Sequence, residues 1–181
     1  RAWYYPKNNE TMHEAVQRES KAARESAGIL DASTLGKIDI QGTDASEFLN
    51  RVYTNAWSKL AIGKCRYGLM LNEDGMVYDD GVTTRLDENH YIMTTTTGGA
   101  ANVLGKLEDY LQTEWPELDV YLSSVTDHYA TASICGPNSK KILSKIITNL
   151  DLSDENFPHM SFKNAKIDNI KCRVMRISFT G

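Results

Sequence analysis

The chain has 181 residues, 41% hydrophobic and 24% charged, enough to bury a core as one domain or two small ones. A net charge of −4 and a pI near 5.6 leave no electrostatic footprint for nucleic acid, and no apolar run is long enough to cross a membrane as a helix. Cys65, Cys135 and Cys172 are odd in number and far apart, which argues against a disulfide framework or a zinc cluster and suits a reducing cytoplasm. The start, Arg1-Ala-Trp-Tyr-Tyr-Pro6, lacks the apolar core of a signal peptide. With no starting Met and a strand-like close, the chain reads as a piece of a longer polypeptide.

The aromatic cluster Trp3-Tyr4-Tyr5 precedes a helix pattern from Glu10 to Ser26, whose apolar face (Met12, Ala15, Val16, Ala22, Ala23) is narrow and rich in alanine. That face belongs on the surface of something larger. Ser33 and Thr34 read as turn residues before a strand, Lys37–Gln41. Gly42-Thr43-Asp44 supplies the loop and N-cap of a short helix, Ala45–Val52, with Phe48, Leu49 and Val52 inward. Residues 54–63 read as loop. Farther on, a strand over Tyr91–Thr97 runs into Gly98-Gly99 and a helix over Ala100–Gln112. A glycine-rich helix entry can cradle an anion, but Gly-Gly here reads as a strand-to-helix turn. Strands over Leu118–Val125 and Tyr129–Cys135, a helix over Ser139–Ile147, a polar loop over 149–166 and a last strand over Cys172–Phe179 complete the pattern. The class is α+β, with mostly antiparallel sheets and flanking helices. None of the four histidines has metal-type spacing or a neighbouring nucleophile, and no dinucleotide fingerprint or P-loop occurs.

The stretch Cys65–Leu86 carries the strongest local signal. Two apolar, partly alternating segments, Tyr67–Leu71 and Met76–Arg85, flank Asn72-Glu73-Asp74-Gly75, which predicts a β-hairpin. Asp79 and Asp80 sit side by side in its second arm. Successive strand residues point to opposite faces, so only one of the two can line a given pocket. An inward carboxylate is costly unless it is paired or serves chemistry; an isolated Asp-Asp-Gly otherwise reads as a solvated turn or bulge.

Six blocks then occur in a recognisable order: Gly28-Ile-Leu-Asp-Ala-Ser, Ala45-Ser-Glu-Phe-Leu-Asn-Arg, Arg66-Tyr-Gly-Leu-Met-Leu-Asn-Glu-Asp-Gly, Asp79-Asp80, Cys135-Gly-Pro-Asn-Ser and Ser178-Phe-Thr-Gly181. Together they resemble the folate-binding aminomethyltransferase family, whose best-known member is the T-protein of glycine cleavage. Finer wording, including Trp3-Tyr-Tyr-Pro6, Tyr53-Thr-Asn-Ala-Trp57 and Thr94-Thr-Thr-Thr-Gly-Gly99, is similar to the branch of the family found in heterotetrameric sarcosine oxidases. Where T-proteins usually have Ser-His-Met, this chain has Ser33-Thr34-Leu35.

The resemblance implies a tetrahydrofolate site, with the catalytic aspartate at Asp80 or, alternatively, Asp79. It implies folate contacts from Leu35, Tyr67, Thr95, Thr96 and Thr97. It divides the chain into an outer segment, 1–41 plus 126–181, and an inserted α+β part, 42–125, with the family's Thr-Gly-Glu motif broken off at Gly181. The implied reaction joins a sarcosine-derived iminium and tetrahydrofolate to give glycine and 5,10-methylenetetrahydrofolate, in a cytoplasmic assembly whose other subunits carry flavin (FAD and FMN) and which also holds NAD. No nucleic acid or membrane partner is expected. A true T-protein, working with an aminomethyl-lipoyl carrier, and a folate-binding module without chemistry are the alternatives.

Overall fold

The computed structural model describes residues 4–178. Expectations resting on Trp3 or on residues 179–181, including the incomplete Thr-Gly-Glu motif, lie outside the described residues.

The first helix, α1 (Met12–Glu25), is set by a capping box: the Thr11 hydroxyl accepts from Glu14 N, and the Glu14 carboxylate accepts from Thr11 N. Ala15 is its one buried residue, as its narrow apolar stripe predicts. A short strand, β1 (Gly28–Asp31), pairs antiparallel with β7 (Ala132–Cys135). β1 carries no alternation, and Ile29 and Leu30 are exposed, so the sequence pattern did not single it out.

The centre of the molecule is a five-stranded sheet. Its order is β3 (Cys65–Leu71), β4 (Val77–Asp87), β5 (His90–Thr95), β2 (Gly36–Gln41) and β6 (Tyr121–Ser124), all antiparallel. One face is packed by α2 (Ala45–Val52) and α3 (Ala100–Thr113). Ile38, Ile40, Phe48, Leu49, Tyr91, Met93, Val103 and Leu107 form a continuous core there. Trp57 sits fully buried in that core, in a 3₁₀ turn over Trp57–Lys59. The surrounding sequence had read only as loop. The second face is partly covered by a hairpin of β8 (Ser161–Ile167) and β9 (Ile170–Arg176); Met175 Sδ lies 3.8 Å from Thr84 Oγ1. The last helix, α4 (Ser139–Ile146), follows β7.

The Cys65–Leu86 hairpin forms as its pattern predicts, with Gly75 at φ +81° in the turn and Asn72 N bonded to Met76 O. Several boundaries differ from expectation. β7 begins at Ala132 rather than Tyr129, after a 3₁₀ turn over Thr126–His128, and the last strand runs Ile170–Arg176 rather than beginning at Cys172 and continuing past Arg176. β5 ends at Thr95 rather than Thr97, because the Asp79 carboxylate takes the Thr96 N–H and hydroxyl before another strand can. β6 begins at Tyr121 rather than Leu118, because two tight backbone bonds, Leu118 N to Trp115 O and Val120 N to Leu118 O, curl that stretch. β8 rises out of the polar segment expected to be loop. Its buried residues, Ser161, Phe162 and Ala165, are spaced among lysines and an asparagine that mask the pattern.

Candidate functional site

Strand parity separates the two adjacent carboxylates. Asp79 points to the helix-covered face and is 4% exposed. Its carboxylate accepts from Thr96 Oγ1 at 2.6 Å and Thr96 N at 3.2 Å. Thr96 Oγ1 in turn accepts from Gly99 N at 3.1 Å, at the entry to α3. A Cβ on Gly99 would lie 2.6 Å from Asp79 Oδ1, so the latch needs glycine there. Asp79 thus fastens the β5-to-α3 turn to the hairpin.

Asp80 leaves the strand on the opposite face. By the cross-strand register, that face also carries Tyr67, Leu69 and Val82. The Tyr67 hydroxyl donates to Asp80 Oδ2 at 2.7 Å, and the bond to this carboxylate pushes the Tyr67 phenol above its ordinary pKa. Asp80 Oδ1 has no hydrogen-bond partner among the described residues, and Tyr67 is half exposed. Farther along the same face, Thr84 and Cys65 are buried beneath β9, and burial pushes the Cys65 thiol up. The face is therefore closed at one end and open at the Tyr67–Asp80 end.

The other expected contacts fall in two places. Thr95 is buried, and its hydroxyl donates to Thr96 O at 3.0 Å. Thr96 serves Asp79, not Asp80. Thr97 lies past the strand, with Oγ1 3.2 Å from Thr34 Oγ1, which joins the threonine run to the turn that bears the partly exposed Leu35. That turn is strongly tied. Lys37, 4% exposed, donates from Nζ to Ser33 O at 3.0 Å and Leu35 O at 2.9 Å, and burial depresses its pKa. Asp31 Oδ1 accepts from Ser33 N, and Ser33 Oγ accepts from Thr131 N. The structure thus brings Tyr67 to Asp80 and Thr97 to the Leu35 turn, and it sets Asp79, Thr95 and Thr96 on the other side of the sheet.

Two neighbours were not singled out from sequence. Thr94 donates to Val82 O at 3.1 Å and accepts from Val82 N at 2.9 Å, stitching β5 to β4 two residues from Asp80. Only the register between the two strands could have chosen it from four consecutive threonines. Lys37 stands in an apolar strand, where burial of a lysine is rare without a partner; the carbonyls that receive it come from a turn, which no periodicity reveals. His90, for its part, opens β5 and pairs with Asp39 at 2.7 Å.

Comparison with known proteins adds four results. The family model described as GCVT N-terminal domain matches residues 1–181. The chain is 56% identical over 182 residues to the sarcosine oxidase subunit alpha of Corynebacterium sp. (strain P-1), covering 100% of this chain and 19% of that protein. It is 30% identical over 170 residues to an aminomethyltransferase of Exiguobacterium sibiricum, covering 94% of this chain and 45% of that protein. Among solved structures, the glycine cleavage system aminomethyltransferase T of Bartonella henselae matches with a TM-score of 0.78 at 24% identity, over 92% of this chain and 42% of that one; this likeness bears on the fold alone. The chain thus spans about a fifth of the length of the oxidase subunit it matches.

Proposed function

Because the chain belongs to the GCVT N-terminal domain family, we propose that it is the folate-binding portion of a sarcosine oxidase alpha subunit, where a sarcosine-derived iminium and tetrahydrofolate become glycine and 5,10-methylenetetrahydrofolate. The higher identity to the oxidase subunit than to the aminomethyltransferase favours this over the T-protein reading. Partners under this reading are the other oxidase subunits, with the flavin and NAD held outside these residues.

The observation that carries the site is the pairing of Tyr67 with Asp80 on the open face. The residues fit a reduced pterin: a half-exposed phenol ring for stacking, Val82 as an apolar neighbour on the same face, and one carboxylate oxygen left without a partner. When bound, tetrahydrofolate supplies two amine nitrogens that accept the one-carbon unit, and bridging it releases a proton. Asp80 Oδ1 is the acceptor for that proton, or the negative charge that steadies the cation before the proton leaves. Tyr67 holds the other oxygen and so fixes the carboxylate's direction. Its raised pKa keeps the phenol protonated, and donating, throughout the neutral range. Leu35 and Thr97 flank the opening from the turn that Lys37 braces. Asp79, held by Thr96, takes no part in proton transfer.

The test is Asp80→Asn in the assembled oxidase. Sarcosine oxidation occurs at the flavin and should be nearly unchanged. Methylene transfer should fall by roughly 10²–10⁴-fold, as expected for loss of a general acid or base, with the iminium hydrolysing to formaldehyde instead. Unchanged methylenetetrahydrofolate formation would remove Asp80 from the chemistry. Stimulation of glycine cleavage with a lipoylated partner would instead favour the T-protein reading.

A further inference from the structure

The side chain of Arg173, on β9, makes no hydrogen bond or ion pair among the described residues. Its Nη1 is buried and unpartnered. Two other buried donors also lack partners, Trp57 Nε1 and Tyr91 Oη, but both are neutral and lie in the apolar core. A charged guanidinium nitrogen withdrawn from water with no acceptor is far more costly, and such a group calls for an explanation. Arg173 is also held in place: its guanidinium carbon lies 5.0 Å from the centre of the Tyr129 ring, a stacking that favours the cation but satisfies none of its N–H groups.

The surroundings locate this pair. Residues flanking Tyr129 are fastened to the Leu35 turn and its brace: Thr126 Oγ1 accepts from Lys37 N at 3.0 Å, and Thr131 N donates to Ser33 Oγ at 3.0 Å. Met175, two residues along β9 and so on the same strand face as Arg173, rests on Thr84. Thr84 shares its face of β4 with Asp80. Arg173 therefore stands on the wall that faces the open side of the sheet, beside the Leu35 turn.

We propose that Arg173, stacked on Tyr129, is a subsite for an oxygen acceptor of the ligand that lies on the Tyr67–Asp80 face. The acceptor chemistry is a carboxylate or a ring carbonyl. A folate offers both, on its glutamate tail and on its pterin. A planar guanidinium already oriented by a ring donates two parallel bonds with little further loss of freedom. The inference rests on the folate reading given above.

The experiment measures dissociation constants of tetrahydrofolate and tetrahydropteroate, which lacks the glutamate, for the assembled oxidase and its Arg173→Met and Arg173→Lys variants. Arg173→Met should weaken tetrahydrofolate binding by roughly 10- to 100-fold, the range for losing a charged hydrogen bond, with sarcosine oxidation and melting temperature unchanged. Arg173→Lys, which keeps the charge but not the fork, should fall between. A loss confined to tetrahydrofolate assigns the tail carboxylate, and an equal loss for both ligands assigns the pterin carbonyl. Unchanged affinities overturn the proposal, as does a lowered melting temperature with affinities intact, which would mean that Arg173 pairs with protein. If the parent binds neither ligand, the folate reading itself fails, and the subsite falls with it.

Discussion

Replacing Asp79 with asparagine should loosen the chain locally while leaving the chemistry almost untouched. Asp79 is 4% exposed and accepts two bonds from Thr96, one from the backbone and one from the hydroxyl. Asparagine offers one carbonyl oxygen and turns an NH₂ group toward donors, so one charge-assisted bond is lost and one buried donor is left unmatched. Such a loss costs about 2–4 kcal/mol. The turn it fastens opens into α3, so the cost falls on the segment 96–103 before it falls on the sheet. At about 1.4 kcal/mol per tenfold, amide exchange there should quicken by roughly 30- to 1000-fold, read by hydrogen-exchange mass spectrometry. Peptides from β3 should keep the parent rate. Methylene transfer should drop less than about tenfold, against the far larger loss expected for a catalytic acid or base. Exchange within threefold of the parent, or a methylene-transfer defect as large as that of Asp80→Asn, would refute the assignment of the two carboxylates to opposite faces with different tasks.

Gly99→Ala should reproduce the loosening of the 96–103 segment, since its Cβ would crowd Asp79 Oδ1 at 2.6 Å and Thr96 Oγ1 at 2.7 Å, whereas Gly98→Ala meets nothing within 4 Å and should leave exchange unchanged. Glu10 is held at a pKa of about 2 by its bonds to Arg18 and to Lys7 N; its folded value lies below the unfolded one, so its stabilising contribution is present above the usual carboxylate range and is lost as pH falls toward about 2. In Arg18→Met, a carbon-detected NMR titration of Glu10 should move most of the way back toward about 4.3, and a midpoint still near 2 would show that the backbone bond alone sets it.

Much of this fold was legible because its elements carry their own signals. The bounds of α2 were readable from Phe48, Leu49 and Val52 at helical spacing, and the hairpin from Asn72-Glu73-Asp74-Gly75 between apolar arms. What stayed hidden depends on partners distant in sequence. β1 is a strand because β7, about a hundred residues later, pairs with it. Trp57 is core because the sheet and α2 close over it, though its own neighbours spell a loop. Asp44 sits at the N-cap position as expected, but its carboxylate accepts from Asp119 N rather than capping the helix.

The candidate site divides along the same line. Alternation alone requires Asp79 and Asp80 to part company, yet alternation has no sign: it cannot say which face the helices cover. That is settled by register, in which Asp79 stands opposite the buried Met70 and Asp80 opposite the half-buried Leu69. The threonine run obeys the same logic and then breaks it. Thr95 turns to the core, while Thr96 leaves the strand because a buried carboxylate claims its N–H and hydroxyl together. One aspartate's need for donors thus ends β5, starts the turn into α3 and frees Thr97 to meet Thr34 across the chain. The neighbouring aspartate, with a single tyrosine hydroxyl for company, keeps an oxygen open to solvent. The difference between a fastened carboxylate and one with an oxygen left unpartnered among the described residues is here one residue of strand register.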